Sequence, residues 1–243
     1  MTRAAAGRAA RGADSAPSAR AQLEALAASS ANGEAFAHLR PPLTGVGRAA
    51  AVLVLFGELD RLPSERPAEA SPVSRDLDVL LVERASSLRA HPGQIAFPGG
   101  RIDAGDHTPV EAALREAHEE TGLDPAGVEA LGSLGVVPLE HSQHLVTPVL
   151  GWWRAPSPVG VVDSAECATV FRTPVAELLD PGARGVTVLR RGGREWRGPA
   201  FLLRTDAGER LLWGFTALLL DAVFDALGWT KSWDAGREIP LEV

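Results

Sequence analysis

From Arg40 onward the chain breaks into short apolar blocks separated by polar, glycine- and proline-rich stretches. "AAVLVLF" (Ala50 to Phe56) and "LDVLLVER" (Leu77 to Arg84) are apolar runs of strand length. The polar, proline-rich stretch between them, Gly57 to Asp76, reads as a loop. "QIAFPGG" (Gln94 to Gly100) predicts a short strand that ends in glycines, and a helical period follows from Pro109 to Thr121. "VEALGSLGVV" (Val128 to Val137) and "LVTPVLGWW" (Leu145 to Trp153) predict further strands. "PVAELL" (Pro174 to Leu179) predicts a short helix, with two more strands near Val186 to Arg190 and Phe201 to Thr205. A last helix is predicted from Phe215 to Leu227. Strands outnumber helices too heavily for regular strand–helix–strand winding. The pattern therefore predicts an α/β (α+β) sandwich with a mixed sheet. No internal repeat is present.

Before this globular region, residues 1–36 are rich in Ala, Arg, Ser and Gly, and predict a mobile tail with a short helix around Ala21 to Ala28. The folded domain is expected over residues 37–243. An Arg-, Ala- and Ser-rich start also fits an organelle transit peptide, a reading that Asp14 and Glu24 interrupt. No secretory hydrophobic segment is seen, and no apolar run approaches the length of about 18–20 residues that spans a bilayer.

Composition narrows the partners. With 45% hydrophobic and 23% charged residues, the 243-residue chain suits a globular protein with a sizeable core. A net charge of −7 gives no electrostatic basis for binding nucleic acid or an anionic membrane. An anionic small-molecule substrate would need local cations or a bound metal. The single cysteine, Cys167, excludes an intrachain disulfide and cysteine-rich zinc sites, and fits a cytoplasmic location.

The chemistry concentrates in "LREAHEETGL", Leu114 to Leu123. Thr108 can cap this helix, proline suits its first position, Glu111 can complete a capping box, and Gly122 is a natural left-handed stop. With these ends, Val110, Ala113, Leu114, Ala117 and Thr121 share the core face. Glu116, Glu119 and Glu120 share another, about 120° round. Taken alone, an acidic stripe reads as a solvated face. Two features resist that. Like charges at these spacings destabilise a helix by about 0.2–0.5 kcal/mol per pair, and anions near a C-terminal end oppose the macrodipole. Three carboxylates on one face suit a hard divalent cation. Upstream, Gly99 and Gly100 end a strand and lead toward the helix, where a glycine backbone lets a phosphate or metal approach closely.

Strand, glycine loop and acidic helix together resemble the Nudix hydrolase family. Its box runs Gly, five residues, Glu, seven residues, then Arg-Glu-apolar-x-Glu-Glu-x-Gly-apolar. Arg115, Glu116, Ala117, Glu119, Glu120, Gly122 and Leu123 match in order after Gly100. Two departures lie in the loop: Asp106 stands where the box has Glu, and eight residues separate it from Arg115. Asp106 either pairs with Arg115 or shapes the loop. The same departures resemble the coenzyme A pyrophosphatase branch. Its motif is matched by Leu80, Leu81, Arg84, Leu88, Gly93, Gln94, Ile95, Phe97, Pro98, Gly99 and Gly100, with Ala85 for a serine and a histidine at His91. "VTPVLG" (Val146 to Gly151), "AECATVFRTPVAEL" (Ala165 to Leu178) and "LWGFTA" (Leu212 to Ala217) resemble further segments, so the resemblance covers roughly residues 48–228.

The resemblance implies a Nudix-type α/β/α sandwich. It also implies metal-dependent hydrolysis of the diphosphate of coenzyme A, or of its acyl derivatives, to 4'-phosphopantetheine and adenosine 3',5'-bisphosphate. Mg2+ or Mn2+ would be held by Glu116, Glu119, Glu120 and the Gly99 carbonyl. Arg115 would orient a glutamate, and either Glu119 or Glu166 would act as base. Arg84, Arg89 and Gln94 are candidate substrate contacts, each with a surface or strand-end alternative. Two other readings stay open: another nucleoside diphosphate derivative such as NADH or ADP-ribose, or a non-catalytic ligand-sensing domain. The resemblance also allows a homodimer. Outside it, His141 and His144 have a metal-compatible spacing on a predicted loop. Trp152 and Trp153 read as strand packing, with one facing substrate or a partner subunit as the alternative. Cys167 reads as a buried small apolar residue. No Gly-x-Ser-x-Gly elbow or phosphate-loop lysine occurs.

Overall fold

The computed structural model describes residues 17–30, 36, 39, 47–58, 73, 76–88, 91–139, 142–191, 193–205 and 208–241. Most of the loop expected over 57–76 lies outside them, as do Arg89 and His141. Among the described residues, no helix is long and apolar enough to cross a membrane.

A mixed sheet organises the fold. Strand β1 (Arg48–Glu58) lies at its centre. β1 runs parallel to β7 (His144–Trp153) and pairs antiparallel with β2 (Leu77–Arg84) and β4 (Gly99–Arg101). β3 (Ile95–Ala96) and β8 (Cys167–Pro174) pair with β2; β5 (Val128–Ser133) and β6 (Val137–Leu139) pair with β7. A separate antiparallel sheet joins β9 (Arg184–Arg191), β10 (Arg194–Thr205) and β11 (Gly208–Leu212).

Side-chain alternation along the strands divides the core into two layers. Ala51, Leu53, Leu55, Leu80, Val149 and Trp153 meet α2 (Pro109–Thr121) through Ala112, Ala113 and Ala117. The alanines carry no more than a methyl group, which allows the helix to lie close on the sheet. From the other face, Val54, Phe56, Val79, Leu81 and Trp152 share one core with α4 (Gly214–Ala226), which contributes Leu219, Leu220, Val223 and Phe224. Helices thus cover both faces, giving the α/β/α sandwich. The two tryptophans are buried in opposite layers, in agreement with the strand-packing reading. α3 (Val175–Leu178) is the expected short helix.

Two arginines tie neighbouring elements together. Arg172 on β8 pairs with Asp78 on β2 at 2.6 Å, and its guanidinium carbon lies 4.7 Å from the Trp153 ring centre. Burial pushes Asp78 up to about 7 even with Arg172 beside it. Arg184 on β9 pairs with Asp221 on α4 and lies between the rings of Phe201 and Trp233, which ties the C-terminal segment to the second sheet.

Within residues 1–36, read as a tail with a short helix around Ala21 to Ala28, the helix is present and is packed against the domain. Residues Ala19–Ser30 form helix α1, with Leu23, Leu26 and Ala27 buried in the α4-side core. Ala27 seats against Gly132 on β5; Arg20 makes a two-pronged contact to Glu129 at 3.0 Å; Gln22 accepts the indole N–H of Trp229 at 2.8 Å. Leu23, Leu26 and Ala27 follow the i, i+3, i+4 pattern, but a stripe that short stands out only beside the surface that covers it. Residues 1–16 lie outside the described residues. If α1 is part of the folded unit, Leu23→Ala should lower stability by about 2–5 kcal/mol in denaturant titrations; a dangling tail would leave the unfolding midpoint unchanged.

Candidate active site

Helix α2 is held at both ends by the groups its sequence supplies. Thr108, in extended conformation, accepts the Glu111 N–H at 3.1 Å, and Pro109 occupies the first turn. Glu111 reaches back to the His107 N–H at 2.8 Å, one residue before the cap. Gly122 is left-handed, and its N–H returns to the His118 carbonyl at 2.8 Å. The phase of the acidic face is therefore fixed.

Arg115 gathers the loop and two of the three acids. Its Nε and Nη2 grip both oxygens of Asp106 at 3.0 and 2.9 Å. Nη2 also donates to the Arg101 carbonyl at 3.0 Å. Nη1 donates to Glu116 at 3.0 Å and to Glu119 at 2.9 Å. A guanidinium has five N–H donors, and each has an acceptor here. Arg115 thus has none left for a ligand and serves to position Glu116 and Glu119. The Asp106 pairing settles the open choice at the altered box position. The Arg115 hydrogen bond holds Asp106 below the usual carboxylate range, and Asp106 in turn raises Arg115.

Glu120 differs from its neighbours. It is 6% exposed, and among the described residues its side chain has one hydrogen bond, from the Gly99 N–H at 3.0 Å. Burial pushes it up to about 7; burial also raises Glu116, against the pull of Arg115. The helical wheel placed Glu120 with the acids but gave no sign that it points under the glycine strand. That position depends on the strand. At Gly99 an added Cβ would stand 2.4 Å from the Ala51 carbonyl oxygen, and at Gly100 one would stand 2.4 Å from Glu116 Oε2. Both glycines admit the close approach of β4 to β1 and of α2 to β4.

The other predicted residues divide. Arg84 ends β2, where its N–H donates to the Gln94 carbonyl at 3.0 Å, so the two are neighbours. Arg84 Nε is buried with no hydrogen-bond partner among the described residues, and the Arg84 charge acts on Glu120. Gln94 Oε1 lies 2.9 Å from His91 Nδ1. Glu166 is exposed on a turn, its carbonyl accepts the Ala85 N–H at 2.8 Å, and its charge also acts on Glu120. Cys167 is buried beside them as a free thiol, pushed up to about 11 by burial. His144 lies at the start of β7, with its pKa lowered by burial. Sequence reasoning missed the segment 157–163, which crosses the end of α2: Val162 N–H donates to the Glu120 carbonyl at 3.3 Å and Gly160 N–H to that of Thr121 at 2.9 Å. No residue spacing announces this crossing.

The arrangement is a strand, a close glycine turn and a helix that presents clustered carboxylates beside an arginine-bearing strand end. Carboxylate oxygens are the donor type that a hard cation takes. A NUDIX domain matches residues 66–188. "Uncharacterized Nudix hydrolase NudL" of Enterobacter sp. (strain 638) is 40% identical over 139 residues, covering 57% of this chain and 69% of that protein. The protein of the same description from Photorhabdus laumondii is 35% identical over 146 residues, covering 58% and 73%. The chain belongs to the Nudix hydrolase family. A looser likeness, to the NUDIX domain of Shewanella oneidensis NrtR complexed with ADP ribose, has 20% identity over 59% of this chain and 84% of that one, with a TM-score of 0.41, and supports no inference about this chain.

Because Glu116 packs against Gly100, Gly100→Ala should displace that carboxylate. Diphosphate hydrolysis should fall on the order of 10²-fold while the thermal unfolding midpoint stays near wild type. Equal activity in the two proteins would show that the Glu116 contact is dispensable.

Proposed function

We propose that this chain hydrolyses the diphosphate linkage of coenzyme A, or of its acyl derivatives, to 4'-phosphopantetheine and adenosine 3',5'-bisphosphate. One observation carries the reading. The run Leu80 to Gly100, which resembles the coenzyme A pyrophosphatase branch, folds so that Arg84 and Gln94 adjoin each other and Arg84 acts on the buried carboxylate of Glu120.

The donor set fits a divalent cation. Glu116, Glu119 and Glu120 offer oxygen ligands, with the Gly99 carbonyl as a fourth, and Glu120 is a buried carboxylate in no ion pair among the described residues. Burying such a group uncompensated is costly, and a hard cation supplies the missing charge. No group of three acidic, histidine or cysteine side chains among the described residues converges on one point as it stands. Glu116 and Glu119 turn instead to Arg115. When bound, Mg2+ or Mn2+ would neutralise the diphosphate and make its water more acidic. Arg115 would keep Glu116 and Glu119 oriented, held by Asp106 from behind. Arg84 would add positive charge for the diphosphate, and Gln94 a hydrogen bond. Glu119, exposed on the helix, or Glu166, on the turn opposite, would take the proton of the attacking water at a carboxylate oxygen. Retention of all three helix glutamates supports an enzyme over a ligand sensor.

A hydrolysis screen with Mg2+ or Mn2+ over coenzyme A, acyl-CoAs, NADH, ADP-ribose and dinucleoside polyphosphates tests the reading. Coenzyme A or its acyl derivatives should be turned over fastest; turnover of ADP-ribose without coenzyme A would overturn the substrate assignment. Glu119→Gln and Glu120→Gln should each lower kcat by about 10²-fold or more. Full activity in both would remove the acidic face from the mechanism. Chelation should abolish turnover, and added Mg2+ should restore it.

A further inference from the structure

A group of cationic side chains lies across β4 from the acidic helix. β4 pairs with β1 alone, and its other edge bonds α2: the Gly99 N–H reaches Glu120, and the Arg101 carbonyl accepts from Arg115. Register and strand alternation place the side chains. Gly100 stands opposite Ala51 on the α2 face of the sheet, so Arg101, opposite Ala50, belongs to the other face. Arg48, two residues before Ala50, shares that face with its parallel partner His144 on β7. From the loop before β3, His91 Nδ1 lies 2.9 Å from Gln94 Oε1, while the Gln94 carbonyl holds the Arg84 N–H. Burial and the positive charges of Arg48, Arg101 and His91 together lower the pKa of His144. The candidate metal site thus adjoins this group at two places: at Arg101 itself, and through Arg84 and Gln94 to His91.

The group is uncompensated. Arg48 and Arg101 are exposed, and their side chains have no ion pair or hydrogen bond among the described residues. The two non-glycine residues with a left-handed backbone among the described residues, His91 at φ 55° and Gln143 at φ 53°, both belong to it. Gln143 precedes His144, and its carbonyl accepts the Arg48 N–H at 2.9 Å. Beside it, Ser142 Oγ is buried with no hydrogen-bond partner among the described residues. Gathered like charges repel one another, and uncommon backbone conformations cluster where a ligand is held. An anion would satisfy both. Coenzyme A carries one near its diphosphate, a phosphate monoester on the 3' carbon of the adenosine ribose, with about two negative charges near pH 7. NADH and ADP-ribose have a hydroxyl there. Resting on the coenzyme A reading, we propose that Arg48, His91, Arg101 and His144 receive this 3'-phosphate while the diphosphate lies at the acidic helix, and so select coenzyme A over diphosphates with a free 3'-hydroxyl. Guanidinium and imidazole N–H groups are strong donors to phosphate oxygens, and a hydroxyl gains far less from them.

The test compares coenzyme A with 3'-dephospho-coenzyme A, which keeps the diphosphate and the pantetheine arm and lacks only this phosphate. It uses wild type, Arg48→Gln, His144→Gln and the double variant in Mg2+. Wild type should favour coenzyme A in kcat/KM about tenfold or more, through KM. Each single variant should lower that preference, and the double variant should remove it. Calorimetry, which needs no turnover, should show wild type binding adenosine 3',5'-bisphosphate more tightly than adenosine 5'-phosphate, and the double variant binding the two alike. Equal kcat/KM for the two coenzymes in wild type overturns the proposal while the coenzyme A reading stands. So does a preference that the double variant keeps, or an equal fall for both coenzymes, which would assign these cations to the diphosphate. A wild-type enzyme that hydrolyses ADP-ribose and neither coenzyme overturns that reading, and this proposal with it.

Discussion

The site depends on one guanidinium. Arg115 sits on the same helix as the acids it serves, and its five donors go to Asp106, the Arg101 carbonyl, Glu116 and Glu119. Without it, three carboxylates within one helical turn and a half would repel one another near the negative end of the helix dipole. With it, two of them are compensated, and the loop from β4 is bound to the helix that follows. The third, Glu120, lies out of its grasp under the glycine strand, which is why its burial is the least compensated.

That geometry requires close packing. α2 reaches the sheet through alanines, and the strand facing its acids is made of Gly99 and Gly100. A side chain at Gly99 would meet the backbone of Ala51 and Val52 on β1, and one at Gly100 would displace the Glu116 carboxylate. The central β1–β7 pairing, continuous from Arg48–His144 to Phe56–Trp152, gives the rigid support against which these small contacts are set.

Much of the frame was legible because its signals are local. The limits of α2 follow from Thr108, Pro109 and Gly122, and β2 follows from a single apolar run, so both lie where the sequence reading put them. The signals fail where an element owes its existence to a distant partner. β8 alternates poorly and is extended because β2 pairs with it; β11 is only five residues long and is extended because β10 pairs with it; β10 begins well before its apolar part because β9 continues alongside. α1 carries too few apolar residues to be read as more than a short local helix, and it is docked because β5 and Trp229 receive it.

The sequence by itself determined the family, the fold class, the helix phase and the set of acids, since each rests on residue type at fixed spacing. Only the tertiary structure decided that Asp106 answers Arg115 across the longer loop, that Glu120 is buried while Glu119 is open, and that Glu166 and the valine-bearing segment border the acidic helix. Each of these depends on where one element stops against another. Spacing along the chain carries no record of that, because burial and hydrogen bonding are properties of the surfaces that meet.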